Sequence, residues 1–251
     1  PYYDTYKICI VEEPKQLKIN QLDKNRILGI DLGIDNFVST SNNCGLTPFV
    51  INGNNLKSYN QWYNKTLANL RSMLPVNQYS SKKIKALSQK RTLRTTDYYN
   101  KSASHIIKYC IKNNIGTIVV GKNTSWKQNC NIGKVNNQNF CFISHYTFIN
   151  KLKMIAQTNG IGLVQTEESY TSKASFLDND KIPTYIKNDK TKYVFSGKRI
   201  YRGLYKSKCG ILINADVNGA SNIIKKAFPD AFLNISDYNY LYKTTFKIKI
   251  V

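Results

Sequence analysis

Acid is scarce in this sequence, and where it falls is the first clue to chemistry. Asp and Glu number 15 against 37 Lys and Arg, and between Asp35 and Glu167 the only acid is Asp97. Asp31 sits inside the apolar run "ILGIDLGIDNFVST" (27–40), which reads as a buried strand. A carboxylate buried there without a partner costs several kcal/mol or keeps its proton, so something positive belongs beside it: a lysine, a backbone turn or a metal ion. Glu168 follows the apolar "IGLVQT" and stands next to Glu167, while Asp216 opens the helical "ADVNGASNIIKKAF". Three carboxylates meeting at one place repel one another unless divalent cations neutralise them. Two ions about 3.5–4 Å apart, clamped by such acids, would activate a water and stabilise the leaving oxygen in phosphodiester hydrolysis. Hard oxygen ligands select Mg²⁺ or Mn²⁺ over zinc.

Each acid also has a plainer role. Asp216 suits a helix N-cap, Asp31 between Gly29 and Gly33 suits a turn, and Glu168 suits a solvated strand end. Periodicity cannot join the three, so on the residues alone both readings stand.

The elements that must carry these acids are legible in outline. "RILGIDLG", "NFVSTSN" and "TPFVING" alternate apolar and polar residues between Asn/Gly turns and predict three successive antiparallel strands. Residues 56–114 turn helical, broken around Pro75, and the second segment is long and basic. "IGTIVVG" (115–121) is a continuous apolar run typical of a buried strand. A polar loop with Trp126 and "NNQNF" follows, then Phe148, Ile149, Leu152 and Ile155 at helical spacing as far as Gly160. "IGLVQTEE" predicts another buried strand, residues 171–210 are irregular, basic and aromatic, and a last helix begins at Asp216 and ends at Pro229. The order βββ-α-β-α-β-α is that of an α/β, RNase H-like mixed sheet flanked by helices. In such a sheet the places of Asp31, Glu168 and Asp216 converge at one edge.

The 251 residues, 41% hydrophobic, suffice for one large domain with insertions and a real core. No apolar run approaches the ~18 residues of a membrane span and no charged-then-apolar stretch stands at the start, so neither a span nor a signal peptide is expected. The six cysteines (Cys9, Cys44, Cys110, Cys130, Cys141, Cys209) are scattered singly, as in a cytoplasmic protein with reduced thiols. A net charge of +22 favours polyanionic partners, although 31 of the 37 basic residues are Lys, as an AT-rich coding sequence would give. Lys82, Lys83, Lys85, Lys90, Arg91 and Arg94 crowd one helical stretch, either a solvated face or a row of phosphate contacts. Lys198, Arg199 and Arg202 in "FSGKRIYRGLY" mix cations with aromatics, which suits a single strand. Asn218 suits a bond that orients a site acid. Asp178 and Asp180 suit loop turns, and neither His105 nor His145 is assigned to catalysis.

"GIDLGIDNFVST", "EESYTSKASFLDND", "FSGKRIYRGLY" and "INADVNGASNI" resemble the RuvC-like segments of the OrfB/TnpB proteins of insertion sequences, relatives of the RNA-guided effector nucleases. "KSYNQWYNK", "IGTIVVGKNTSWKQ" and "IGKVNNQNF" extend the resemblance over nearly the whole chain. The resemblance implies a RuvC-like, metal-dependent DNA endonuclease using two Mg²⁺ (or Mn²⁺), with a transposon-encoded guide RNA and target DNA as partners. Its acids map to Asp31 in GIDLG, Glu168 in ESYTSK and Asp216 in NADVNGA; Glu168 is chosen over Glu167 because the family's acid directly precedes the small residue and YTS. Two rivals are a guide-dependent binder that no longer cuts and an RNase H-like strand-transfer transposase. The family's four-cysteine zinc ribbon has no counterpart, since 171–210 holds Cys209 alone, so no zinc is expected and a short basic hairpin-like flap should stand there instead. Residues 1–24, beginning at Pro1, would be the end of a wedge-type β domain, 25–170 the nuclease core with its helical insertion at about 55–114, and 211–251 the last nuclease segment and tail. The recognition and wedge regions of a longer chain would then be missing.

Overall fold

The alternating residues at the start of the chain form a three-stranded antiparallel meander: β1 (Asp23–Leu32), β2 (Asn36–Asn42) and β3 (Phe49–Asn52). The computed structural model describes residues 20–122, 143–187, 191–243 and 245–250, with Tyr6 and Ile8. Apart from those two and 20–24, the end of the wedge-type β domain expected at 1–24 lies outside the described residues, as do Trp126, "NNQNF", Cys9, Cys130 and Cys141. Helices α1 (Asn54–Ser72) and α2 (Lys82–Lys112) follow the meander, and the hydroxyl of Ser81 caps α2 by accepting from the Ile84 N–H. β4 (Ile115–Lys122) returns parallel to β1, and α3 (His145–Thr158) leads to β5 (Gly162–Glu167), parallel to β4.

Three short strands, β6 (Lys198–Tyr201), β7 (Leu204–Lys206) and β8 (Leu212–Asn214), form a separate antiparallel sheet. The chain closes with α4 (Ala215–Ala227), α5 (Asn239–Tyr242) and β9 (Phe246–Ile248). The large sheet has the order β5-β4-β1-β2-β3-β9. This is the RNase H-like (RuvC-like) mixed sheet flanked by helices, with one strand, β9, that the sequence pattern did not announce. Among the described residues no helix is long and apolar enough to cross a membrane.

Strand periodicity divides the core into two faces. Leu28, Ile30 and Leu32 of β1, with Ile118 and Val120 of β4, pack under Tyr99, Ile106 and Phe148 of α2 and α3. The opposite parity, Ile27 and Val119, meets Val217, Ile223 and Ile224 of α4. Each fully buried Ile or Val contributes about 1.5–3 kcal/mol. β5 differs from its expected burial. Its side chains are half-buried or exposed because it is an edge strand, paired with β4 along one side.

The 171–210 segment does contain the expected hairpin, but its apolar residues do not all pack. Tyr205 is buried, whereas Tyr201 and Val194 are 70% and 93% exposed. Tyr193 and Phe195 instead pack against Tyr170.

Candidate active site

The parity of β1 decides where Asp31 lies. With Ile27 and Gly29 it belongs to the α4 face, and its carboxylate rests against Gly219 of that helix. A Cβ at 219 would stand 2.7 Å from Oδ2, so glycine is what lets the carboxylate lie on the helix. Glu168, one residue beyond β5, lies over Gly121 of β4, where a Cβ would stand 2.5 Å from Oε2. Asp216 is the second residue of α4 rather than its cap. Asn214 caps the helix, its side-chain oxygen accepting from the N–H groups of Asp216 (2.9 Å) and Val217 (3.2 Å). The N-cap role considered for Asp216 is therefore already filled, and its carboxylate is left to the cleft.

The two adjacent glutamates have different surroundings. Glu167 is bonded by Lys226, whose ammonium also donates to the carbonyls of Ser169 and Pro183 (3.0 Å each). The other Glu167 oxygen accepts from the Ser169 N–H at 2.7 Å. This clamp fixes the strand-end turn and leaves Glu168 facing an open cleft of about 1230 Å³, shared with Asp31 and Asp216.

Burial, then repulsion from Glu168 and Asp216, pushes the Asp31 carboxyl well above the usual carboxylate range, and only Arg199 opposes this. Burial and the neighbouring Glu167 push Glu168 up to about 7, with Lys226 opposing. Among the described residues the Asp31 carboxylate has no hydrogen-bond or ion-pair partner. The charge on Asp216 is met: Asn36 donates to Oδ2 at 2.7 Å, and the Arg199 guanidinium lies 3.5 Å from Oδ1. The donor set thus fits a hard divalent ion in its oxygen chemistry and in the unmet demand for positive charge at Asp31. Its spacing is open: among the described residues no three His, Cys, Asp or Glu side chains stand as a ready cage, and Arg199 stands where a cation would.

The other expected residues divide. Lys198, Arg199 and Arg202 lie on the hairpin; Arg199 and Arg202 line the cleft, and Arg202 pairs with Asp35, which Lys57 also bonds at 2.7 Å. Those two cations hold the Asp35 carboxyl below the usual range. Lys82, Lys83, Lys85 and Lys90 are exposed along α2. Arg91 and Arg94 are instead placed over the rings of Tyr63 (5.0 Å) and Tyr59 (4.3 Å) on α1. Among the described residues Asn218 bonds no acid but holds the loop after Glu168, accepting from Phe176 N–H at 3.0 Å and donating to the Ala174 carbonyl at 2.9 Å. Asp178 and Asp180 accept from Ser175 and Ser196, as loop turns do. His145 bonds the Gly33 carbonyl at 3.2 Å, and His105 packs edge-on to Phe49.

Sequence reasoning missed Asn36, Lys57 and Lys226. Asn36 did carry a signal, standing five residues after Asp31 in the same segment, but a polar residue opening a strand reads as turn chemistry.

Comparison with known proteins agrees with this architecture. The family OrfB_IS605, described as "Probable transposase", matches residues 8–127, and the Cas12f1-like TNB domain matches residues 145–223. No curated protein sequence matches the chain. Among solved structures, a Cas12f1–sgRNA–target DNA complex is similar with a TM-score of 0.56 at 20% identity, over 82% of this chain and 51% of that one. A CRISPR–Cas12f ternary complex gives 0.52 at 20% identity, over 84% of this chain and 40% of that one. The chain therefore spans about half the length of these neighbours or less, and the likeness is one of fold. The two family matches follow one another along this chain, over residues 8–127 and 145–223, and they bear out its resemblance to the OrfB/TnpB proteins.

Proposed function

We propose that this chain is the nuclease portion of an RNA-guided, transposon-associated DNA endonuclease, and that Asp31, Glu168 and Asp216 hold its divalent ions. The observation that carries the reading is the cleft: three acids from distant parts of the chain line it, and the innermost, Asp31, has no partner for its charge among the described residues. Mg²⁺ or Mn²⁺ bound by such acids supplies an activated water and stabilises the leaving oxygen. The chain's own residues do the rest. Gly121 and Gly219 make room for the carboxylates, and Lys226 with Glu167 fixes the turn that presents Glu168. Arg199 and Arg202 line the same cleft and would exchange their carboxylate partners for the phosphates of an entering strand. Guide RNA and target DNA, present in the complexes whose fold the chain shares, are the proposed partners, with sequence read by base pairing.

The test is cleavage of end-labelled DNA by the purified protein with guide RNA and Mg²⁺. Asp31→Ala, Glu168→Ala and Asp216→Ala should each abolish cleavage and leave nucleic-acid binding nearly intact, because binding rests on cations elsewhere. Elemental analysis of the same preparation should find no stoichiometric zinc. One observation favours the rival binder that does not cut, namely Arg199 beside Asp216. Binding without any Mg²⁺-dependent cleavage would decide for that rival.

A further inference from the structure

We propose that Asn36 is the positioning residue of Asp216, setting the direction of that carboxylate for a divalent ion. The inference rests on the reading of Asp216 as a metal-holding acid. Its basis is one contact across 180 residues: the Asn36 side-chain N–H donates to Asp216 Oδ2 at 2.7 Å. A carboxylate can only accept, so the amide nitrogen, not its oxygen, faces Asp216. The bond occupies one oxygen of Asp216 and leaves Oδ1 as the oxygen open to exchange, at present facing the half-exposed Arg199 guanidinium at 3.5 Å.

Asn36 is well placed for this because the turn that carries it is held from several sides. The turn between β1 and β2 is closed by the Gly33 N–H on the Phe37 carbonyl at 3.3 Å, and a Cβ at 33 would stand 2.5 Å from the Asn36 carbonyl. The Gly53 N–H bonds the Asp35 carbonyl at 2.8 Å, and the Asp35 side chain is bonded by Lys57 and Arg202. His145 bonds the Gly33 carbonyl from α3. The same short turn follows directly from Asp31. One rigid unit thus carries one acid in its own strand and grips a second acid that arrives on α4, which fixes their relative geometry. Partners that orient metal-binding side chains in this way are typically worth about 10–100-fold in metal affinity.

Mn²⁺ binding, measured by calorimetry on the whole chain without nucleic acid, gives a readout independent of cleavage. Asn36→Ala should weaken Mn²⁺ binding about tenfold or more and raise the Mg²⁺ concentration for half-maximal cleavage in proportion. The rate at saturating Mg²⁺ should fall less. In an Asp216→Asn background the same change should have no further effect on Mn²⁺ binding, which a general loosening of the turn would not reproduce. Asn36→Ser serves in its place if the alanine variant fails to fold. Wild-type Mn²⁺ binding with an unaltered value in Asn36→Ala overturns the positioning role alone. An equal loss in the Asp216→Asn background overturns it too. Absence of any Mn²⁺ binding by the wild type overturns both this inference and the metal site beneath it.

Discussion

Gly219→Ala separates stability from function at the candidate site. Alanine inside a helix is favoured over glycine by about 1 kcal/mol. The new methyl at 219 would stand 2.7 Å from Asp31 Oδ2, several tenths of an ångström inside ordinary contact. That oxygen ends a side chain with no partner among the described residues, so it yields instead of the backbone. The fold should thus keep its stability or gain up to ~1 kcal/mol, a melting shift of about 2–4 °C at most for a chain this size. The carboxylate pays by being displaced. Since a misplacement of about 1 Å can cost ~100-fold in rate, the shift of roughly 0.7 Å needed to reach ordinary contact should cost about 10–30-fold in Mg²⁺-dependent cleavage, and Mn²⁺ binding should weaken with it. Thermal melting, Mn²⁺ calorimetry and a cleavage assay on one preparation test this. Gly29→Ala is the contrast: its methyl would meet the Ala220 carbonyl at 2.6 Å, so α4 itself must shift and stability should fall by roughly 1–3 kcal/mol. A stable Gly219→Ala protein with undiminished Mn²⁺ binding and cleavage would refute the placement of metal chemistry at Asp31.

Two further outcomes follow from the ion pairs. Lys57→Met should cost roughly 1 kcal/mol at pH 7, because it removes the hydrogen bond that does most to hold the Asp35 carboxyl low. A depressed carboxyl stabilises the fold above its unfolded value, about 3.9, and loses that contribution as pH falls through its folded value; urea melts at pH 7 and pH 3 should therefore show the gap closing, and an unchanged gap would contradict the pairing. Replacing Lys82, Lys83, Lys85 and Lys90 with Gln should flatten the salt dependence of nucleic-acid binding by about one unit of log–log slope per lost contact, with the melting temperature unchanged. Arg91→Gln and Arg94→Gln should instead lower stability by about 0.5–1 kcal/mol each, since their guanidiniums cover Tyr63 and Tyr59. Equal salt-slope effects from all six would mean the α1 contacts do not hold the arginines.

What could be read from the sequence was whatever depends on near neighbours. The meander, the break around Pro75 and β4 follow from period-two alternation, turn residues and one unbroken apolar run. Residues 246–248 alternate too, but they become a strand only because β3 presents a free edge nearly two hundred residues earlier. β5 was misjudged as buried because an apolar run does not say whether a strand has one neighbour or two. The acids stood out by their scarcity. Their supports did not, because Asn36, Lys226 and Gly219 acquire meaning only from groups that folding brings to them.

The pairing of β9 with β3 has a consequence during synthesis. Phe49, Val50 and Ile51 find their parallel partners in Phe246, Lys247 and Ile248, nearly two hundred residues later. At about 5–20 residues per second, the ribosome leaves β3 as an unprotected edge for roughly 10–40 s, with the rest of the meander already available to fold. An apolar edge exposed that long is a template for pairing with another nascent chain. Chaperone demand is therefore expected to fall on chains stalled after β3 and before residue 246.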